Sequence, residues 1–287
     1  MKTVKVSVII NCYNSDKFLK QAIDSVYAQT YSDWEIIFWD NQSDDRSRKI
    51  AQSFDQKLKY FYAPSHTNLG EARHNATKKA KGKYLAFLDS DDLWHKNKLE
   101  KQIELLDGSE NVGLVYGRSQ VIDENNKELF VSKKNSLLPE GDIFSRLLKE
   151  NFICFASSIV DREKFFSVGG FEKKLIHSTD YSIFLKLTEK YKALALQDVC
   201  CSYRNHNNNL TSKQYMSGAK ETLNIVLDFK RTDAVKLGIK YMHSGIALGY
   251  LRKSNYSKVC SIVWKKKILW QFINLIIMKL FNKVPSN

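Results

Sequence analysis

The sequence predicts an α/β fold, and three observations carry that expectation. Strand and helix signals alternate through the first third of the 287 residues, as right-handed βαβ units over a mainly parallel sheet require. The strand segments are apolar at nearly every position, the pattern of strands covered by helices on both faces. The fourth segment, Tyr84-Leu85-Ala86-Phe87-Leu88, ends abruptly in Asp89-Ser90-Asp91-Asp92. Carboxylates add nothing to a sheet core, and the C-terminal edge of an open parallel sheet is where ligands bind.

Each element has its own signal. Residues 4–10 form a β-branched run, followed by the loop Asn11-Cys12-Tyr13-Asn14. Ser15 stands where a helix cap belongs, ahead of Phe18, Ala22, Ile23 and Val26 at helical spacing. Residues 35–39 make a second strand, running into Asp40-Asn41-Gln42-Ser43-Asp44-Asp45. A helix, a strand over 59–62, a loop over 64–70 and a helix to about Lys79 lead to the fourth strand, 83–88. A helix over 99–106 and a strand over 112–115 follow. Residues 117–150 are polar and read as an excursion over the active face. Residues 155–160 read as a strand, 168–171 as a turn, 181–191 as a helix, and the chain from Met216 as helical. The expected organisation is a catalytic domain over 1–215, with halves 1–116 and 117–215, and a helical region over 216–287.

Composition narrows the setting. The five cysteines are odd in number and lack Cys-x-x-Cys spacing, which fits a reduced, cytosolic compartment. The N-terminus reads as a strand and not as a signal peptide. No apolar run approaches the roughly 18 residues needed to span a bilayer. The net charge is +14, and ten positive charges with no acid lie beyond Asp233. Such asymmetry points to an anionic partner of the tail, a membrane or a nucleic acid.

Three polar loops, 11–14, 40–45 and 89–92, each follow a strand, so topology gathers them at one crevice. Asp, Asn and Ser are also ordinary turn formers, yet three such loops at one edge argue for a site. No phosphate-binding glycine loop occurs. Any phosphate is therefore met by side chains and by a divalent cation on the acids, Mn²⁺ or Mg²⁺.

Several of these segments together resemble the family 2 glycosyltransferases. They are residues 6–14, 29–37 and 40–45, then Asn68-Leu69-Gly70-Glu71-Ala72-Arg73-His74-Asn75 and residues 80–92. The likeness spans about residues 3–212. It implies a GT-A fold, a nucleoside-diphosphate sugar donor, a divalent cation and inversion at the anomeric carbon. It implies donor contacts from Asn11, Tyr13, Asp40, Asn41, Arg73, Asp89 and Ser90. The family's Asp-x-Asp falls on Asp89 and Asp91, with Asp91 the direct metal ligand and Asp89 sharing ribose and metal contacts. Asn41 stands where many relatives carry Asp, which leaves uridine, thymidine and guanosine donors open.

Gly169-Gly170-Phe171-Glu172 and His177-Ser178-Thr179-Asp180 resemble the family's turn and the acids at a helix start. Asp180 matches the general base, and Thr179 replaces the usual Glu. Without the likeness, Ser178 or Thr179 would cap the helix and Asp180 would favour its dipole. Tyr203-Arg204-Asn205-His206 also resembles a family segment, which makes His206 a third metal ligand or else a structural histidine.

The tail closes on residues 268–278, a helix roughly 16 Å long and about half the hydrocarbon thickness. Leu269, Phe272, Ile273, Ile276 and Leu280 share one face, behind Lys265-Lys266-Lys267 and near Trp264 and Trp270. That describes a helix lying in an anionic membrane surface or one packed on the catalytic domain. The expected acceptor is a saccharide or lipid-linked hydroxyl in cell-envelope assembly. The expected location is cytoplasmic, peripheral on the membrane. Two alternatives remain at this point. A nucleotidylyltransferase would need a basic glycine loop after the first strand. A non-catalytic basic membrane- or nucleic-acid-binding protein would spread its basic residues over the whole domain.

Overall fold

The computed structural model describes residues 4–207, 209, 214–230 and 232–281, with side chains up to Ile276. The side chains of Met278, Lys279 and Leu280, and all of Lys283, lie outside the described residues. The chain forms two compact units. One holds the chain up to Asp142 with Ile153–His206, the other Ile143–Phe152 with the chain from Asn207 onward.

The first unit is built on β1 (Val6–Cys12), β2 (Trp34–Asp40), β3 (Leu58–Tyr62) and β4 (Tyr84–Phe87), parallel in the order β3-β2-β1-β4. Helices α1 (Asp16–Tyr27), α2 (Ser47–Ala51) and α3 (Leu69–Thr77) make the crossovers. Parallel register sets Asn11 beside Trp39 and Cys12 beside Asp40, so β1 and β2 end flush and their loops meet. Alternation sends Val8, Ile10, Ile36 and Phe38 into one core with Leu19, Ile23 and Val26 of α1.

Beyond β4 the sheet becomes mixed. β5 (Leu93–Trp94) and α4 (Lys98–Asp107) precede β6 (Val112–Ile122) and β7 (Glu128–Val131). β8 (Ile159–Asp161) lies antiparallel between β4 and β6, and β9 (Lys192–Arg204) runs parallel to β6. β5 and β7 add antiparallel edges on β9 and β6. Helices α6 (Arg162–Ser167) and α7 (Thr179–Lys190) complete this unit.

Three local expectations are corrected. β6 continues to Ile122 through residues whose polarity suggested an excursion. Their side chains are paired across strands: Arg118 donates to Gln197 O at 2.9 Å, Ser119 pairs with Ser132 at 3.0 Å, and Gln120 donates to Ser202 Oγ at 2.8 Å. The strand expected over 155–160 is a 3₁₀ turn, Phe155–Ser157, followed by β8. There the Ser157 and Ser158 hydroxyls each donate at 2.7 Å to the carbonyl three residues earlier. Ser15 precedes α1 without capping it, because its hydroxyl donates to Tyr13 O instead.

In the second unit, α5 (Phe144–Leu147) joins α8 (Tyr215–Leu227), α9 (Asp233–Arg252), α10 (Tyr256–Lys265) and α11 (Leu269–Phe281). Gly238 of α9 lets Leu148 approach so closely that an added Cβ would stand 2.9 Å from the leucine side chain. Thr232 caps α9 and Asn255 caps α10 through their side-chain oxygens. Among the described residues no helix is long and apolar enough to cross a membrane. The expected face of α11 is also corrected. Ile268, Phe272 and Leu275 are buried, Phe272 and Leu275 against α9 and α10, whereas Leu269 and Ile273 are exposed.

Candidate active site

Two of the three polar loops meet, and the third follows β4, the neighbour of β1 in the sheet. Residues 13–16 and 43–47 are stitched together: Asn14 N–H donates to Ser43 Oγ at 3.1 Å, Asp44 N–H to Asn14 Oδ1 at 2.9 Å, and Asp16 N–H to Asp45 Oδ2 at 2.9 Å. Asn14 and Gln42 hold left-handed backbone at φ 47° and 74°, a strain that such a network can maintain.

Asp40 is fully buried. Its carboxylate accepts from Tyr60 Oη at 2.6 Å and from Ser43 N–H at 2.8 Å. It therefore braces the second loop from inside. Asn41 is also buried, its amide donating to Thr67 O at 2.7 Å and accepting from the Thr67 hydroxyl at 3.1 Å. Its own carbonyl lies 2.9 Å from His66 Nδ1, and the His66 ring stands 4.3 Å from that of Tyr13. Tyr13 is 50% exposed and offers a free aromatic face at the crevice.

Two donors at this edge have no partner. Asn11 Nδ2 and Trp39 Nε1 are buried and unbonded, and their residues sit side by side in register. Leaving such a donor unpaired costs about 1–3 kcal/mol, and ligand oxygen atoms would satisfy it. Trp39 escaped sequence reasoning because an apolar strand disguises a tryptophan's one polar atom.

Arg73 is the centre of the acidic side. Gly70 allows α3 to start tightly against the turn after Phe171, where an added Cβ would lie 2.3 Å from Glu172 O. His74 Nδ1 reaches Phe171 O at 3.1 Å. Arg73, buried, then donates through Nη2 to Asp89 Oδ1 at 2.7 Å and through Nη1 to Thr179 Oγ1. Its guanidinium lies 3.8 Å over the Phe155 ring. The loop after β4 and the first turn of α7 are thereby joined. Burial pushes the Asp89 carboxyl upward, opposed by Arg73 and reinforced by Asp91 and Asp180. Asp180 is thus within electrostatic reach of Asp89. Glu172 anchors the turn through Ser182 at 2.8 Å and Lys186 at 2.6 Å.

Asp91 points elsewhere, its Oδ2 lying 2.8 Å from His206 Nε2. Ser90 is buried between the two acids. Asp92 is buried and accepts from Arg204 N–H at 2.9 Å. Burial, with Asp91, Cys154 and Asp89 nearby, drives its carboxyl far above the usual range. Arg204 is the largest fully buried side chain. It donates to Asp91 O at 2.8 Å, Asn126 Oδ1 at 2.7 Å and Gln21 Oε1 at 3.0 Å. Its guanidinium covers Phe18 at 4.3 Å. One arginine thus ties the Asp-x-Asp loop to α1, to the β6–β7 turn and to the strand that delivers His206. Sequence reasoning passed over it as part of a motif, since nothing local tells a buried arginine from an exposed one.

Among the described residues no three His, Cys, Asp or Glu side chains already converge as metal ligands. The residues nevertheless fit a hard or borderline divalent cation. Asp91 and His206 present an oxygen and a nitrogen from two strand ends at bonding distance of each other, and Asp89 stands in the same loop.

Comparison with known proteins bears on the family and the fold. Residues 7–168 match the model of the family described as Glycosyl transferase family 2. The chain is 29% identical over 247 residues to the UDP-Glc:alpha-D-GlcNAc-diphosphoundecaprenol beta-1,3-glucosyltransferase WfgD of Escherichia coli, covering 85% of this chain and 93% of that one. It is 29% identical over 237 residues to the putative teichuronic acid biosynthesis glycosyltransferase TuaG of Bacillus subtilis, covering 80% and 90%. Among solved structures it resembles the mannosyltransferase PcManGT from Pyrobaculum calidifontis in complex with GDP-Man and Mn²⁺. The TM-score is 0.62 at 15% identity, over 99% of this chain and 89% of that one.

Proposed function

The chain belongs to glycosyl transferase family 2, and on that premise we propose that it transfers a sugar from a nucleoside-diphosphate donor to an acceptor hydroxyl with inversion, in cell-envelope polysaccharide or glycolipid assembly. The enzyme class and GT-A fold follow from the family. Donor, metal and acceptor are the proposal. The observation that carries it is Arg73, which binds Asp89 with one nitrogen and the helix start of Asp180 with the other.

The base enters the crevice between the first two loops. Tyr13 supplies a stacking face, Asn11 and Trp39 supply donors, and the Asp40 and Asn41 loop forms the floor. Asp91 and His206 would hold a divalent cation, with Asp89 in the same loop. When bound, that cation offsets the negative charge that grows on the diphosphate as the sugar–oxygen bond breaks. Asp180 accepts the acceptor hydroxyl's proton as that oxygen attacks the opposite face of the sugar. Thr179 has no carboxylate with which to assist; its hydroxyl accepts from Arg73 at the helix start.

WfgD is named for a UDP-Glc donor and a diphosphoundecaprenol-linked acceptor. A UDP-sugar and a lipid-linked saccharide are therefore the first pair to try. A lipid-borne acceptor also makes attachment to an anionic membrane surface through the C-terminal helices part of this reading. The test is a panel of nucleotide sugars with lipid-linked and free saccharide acceptors, with and without Mn²⁺. Transfer from one donor, stimulated by Mn²⁺, is the expected result. Transfer unaffected by chelation would remove the metal from the mechanism. Asp180→Asn should lower turnover by roughly 10²–10⁴-fold while nucleotide affinity stays unchanged. Equal loss of both would give Asp180 a binding role instead.

A further inference from the structure

The outer edge of the α10–α11 corner is arranged for a particular partner. Across residues 264–270 every side chain but one is exposed; Ile268 alone is buried. Trp264 is 87% exposed, Trp270 69% and Leu269 61%, with Ile273 one turn further at 39%. Lys265, Lys266 and Lys267 fill the turn between the two tryptophans. The corner is well made and not frayed. Lys266 N–H donates to Ile262 O at 3.0 Å, Lys267 N–H to Trp264 O at 3.1 Å and Ile268 N–H to Val263 O at 3.1 Å. The helices meanwhile spend their inner faces on each other and on α9, through Val259, Phe272 and Leu275. Core formation therefore does not account for the exposed side chains.

We propose that this corner docks on an anionic lipid surface, inserting Trp264, Leu269, Trp270 and Ile273 to interfacial depth while Lys265–Lys267 engage headgroup phosphates. The proposal rests on the membrane attachment named above and deepens it by narrowing the contact to the exposed edge, which leaves out the buried Phe272. Charge complementarity chooses the partner, since no acid follows Asp233 to oppose these lysines. Tryptophan between lysines is the composition that settles at a bilayer interface. A nucleic acid would use the lysines and could stack on the tryptophans, but it has no place for Leu269 and Ile273. The inner face stays folded on binding, so docking needs no unfolding of α11.

The test is flotation of the full-length protein with phosphatidylcholine vesicles and with vesicles that also contain phosphatidylglycerol, read alongside tryptophan emission. Binding to the anionic vesicles alone, with a blue shift quenched by brominated lipid, is expected. Lys265→Gln/Lys266→Gln/Lys267→Gln should weaken that binding by roughly a hundredfold at low salt. Trp264→Ala/Trp270→Ala should abolish the blue shift. Both variants should keep the parent's affinity for nucleotide, which separates failure of docking from failure of the transferase reading. Equal binding to both vesicles, parental binding by either variant, or displacement by an oligonucleotide with no blue shift would overturn the proposal.

Discussion

Single side chains decide much of this site. Arg204 touches no expected substrate, yet its side chain donates to Asp91 O, Asn126 Oδ1 and Gln21 Oε1, and it sits two residues before His206. Lysine cannot reproduce its fork of donors. Arg204→Lys should therefore lower Mn²⁺-dependent nucleotide affinity by roughly 10–100-fold, the usual effect of disturbing the residues behind metal ligands. Titration calorimetry measures it, with circular dichroism to verify folding. Lys98 is another buried cation, donating to Gln102 at 2.6 Å and lying 4.3 Å over the Trp94 ring. Burial pushes its ammonium down to about 8. Below that pH both folded and unfolded chains carry the proton and the burial penalty is complete. Between about 8 and 10.5 only the unfolded chain holds it, so folding stability should rise with pH, by up to roughly 3 kcal/mol. Urea midpoints across that range should show the rise in the parent and lose it in Lys98→Met.

At the scale of elements, the site exists because α3 meets the segment from Phe171 to Leu175. Gly70 N–H donates to Leu175 O at 2.9 Å. Gly70→Ala would force a methyl group to 2.3 Å from one carbonyl and 2.5 Å from another. Backbone cannot yield cheaply there. We expect a loss of about 1–3 kcal/mol and a larger fall in turnover than in nucleotide affinity, because Arg73 would separate from Thr179. Thermal unfolding and single-turnover rates read the two effects. The strands of this site were legible for the opposite reason: β1, β2 and β4 are largely apolar runs that end in polar loops, acidic after β2 and β4. β9 and the far half of β6 were not, since their polar residues satisfy one another only after the strands meet.

At the scale of the whole chain, the division into units does not follow sequence order. Ile143–Phe152 belongs with the helices after Asn207 although Ile153–His206 returns to the sheet. Ile143, Leu147 and Leu148 are buried there, with Leu148 against Gly238 of α9. A chain ended after His206 should therefore expose these residues, bind a hydrophobic dye and aggregate, as light scattering would show. A monomeric, dye-silent fragment would mean that the segment finds other cover. The expected boundary at residue 215 could not anticipate this, because ten residues of helical signal look the same whichever unit takes them.

By itself the sequence determined the α/β class, since local periodicity carries it, and residue chemistry named the acids and the histidine at the strand ends as candidates. It also determined that the tail is basic and amphipathic. Only the tertiary structure decided that Arg73 links Asp89 to the start of α7, that Arg204 holds the loop after β4 from behind, and which face of the last helix remains open. Those outcomes depend on which distant groups meet and which donors are left unpaired, and packing alone settles both.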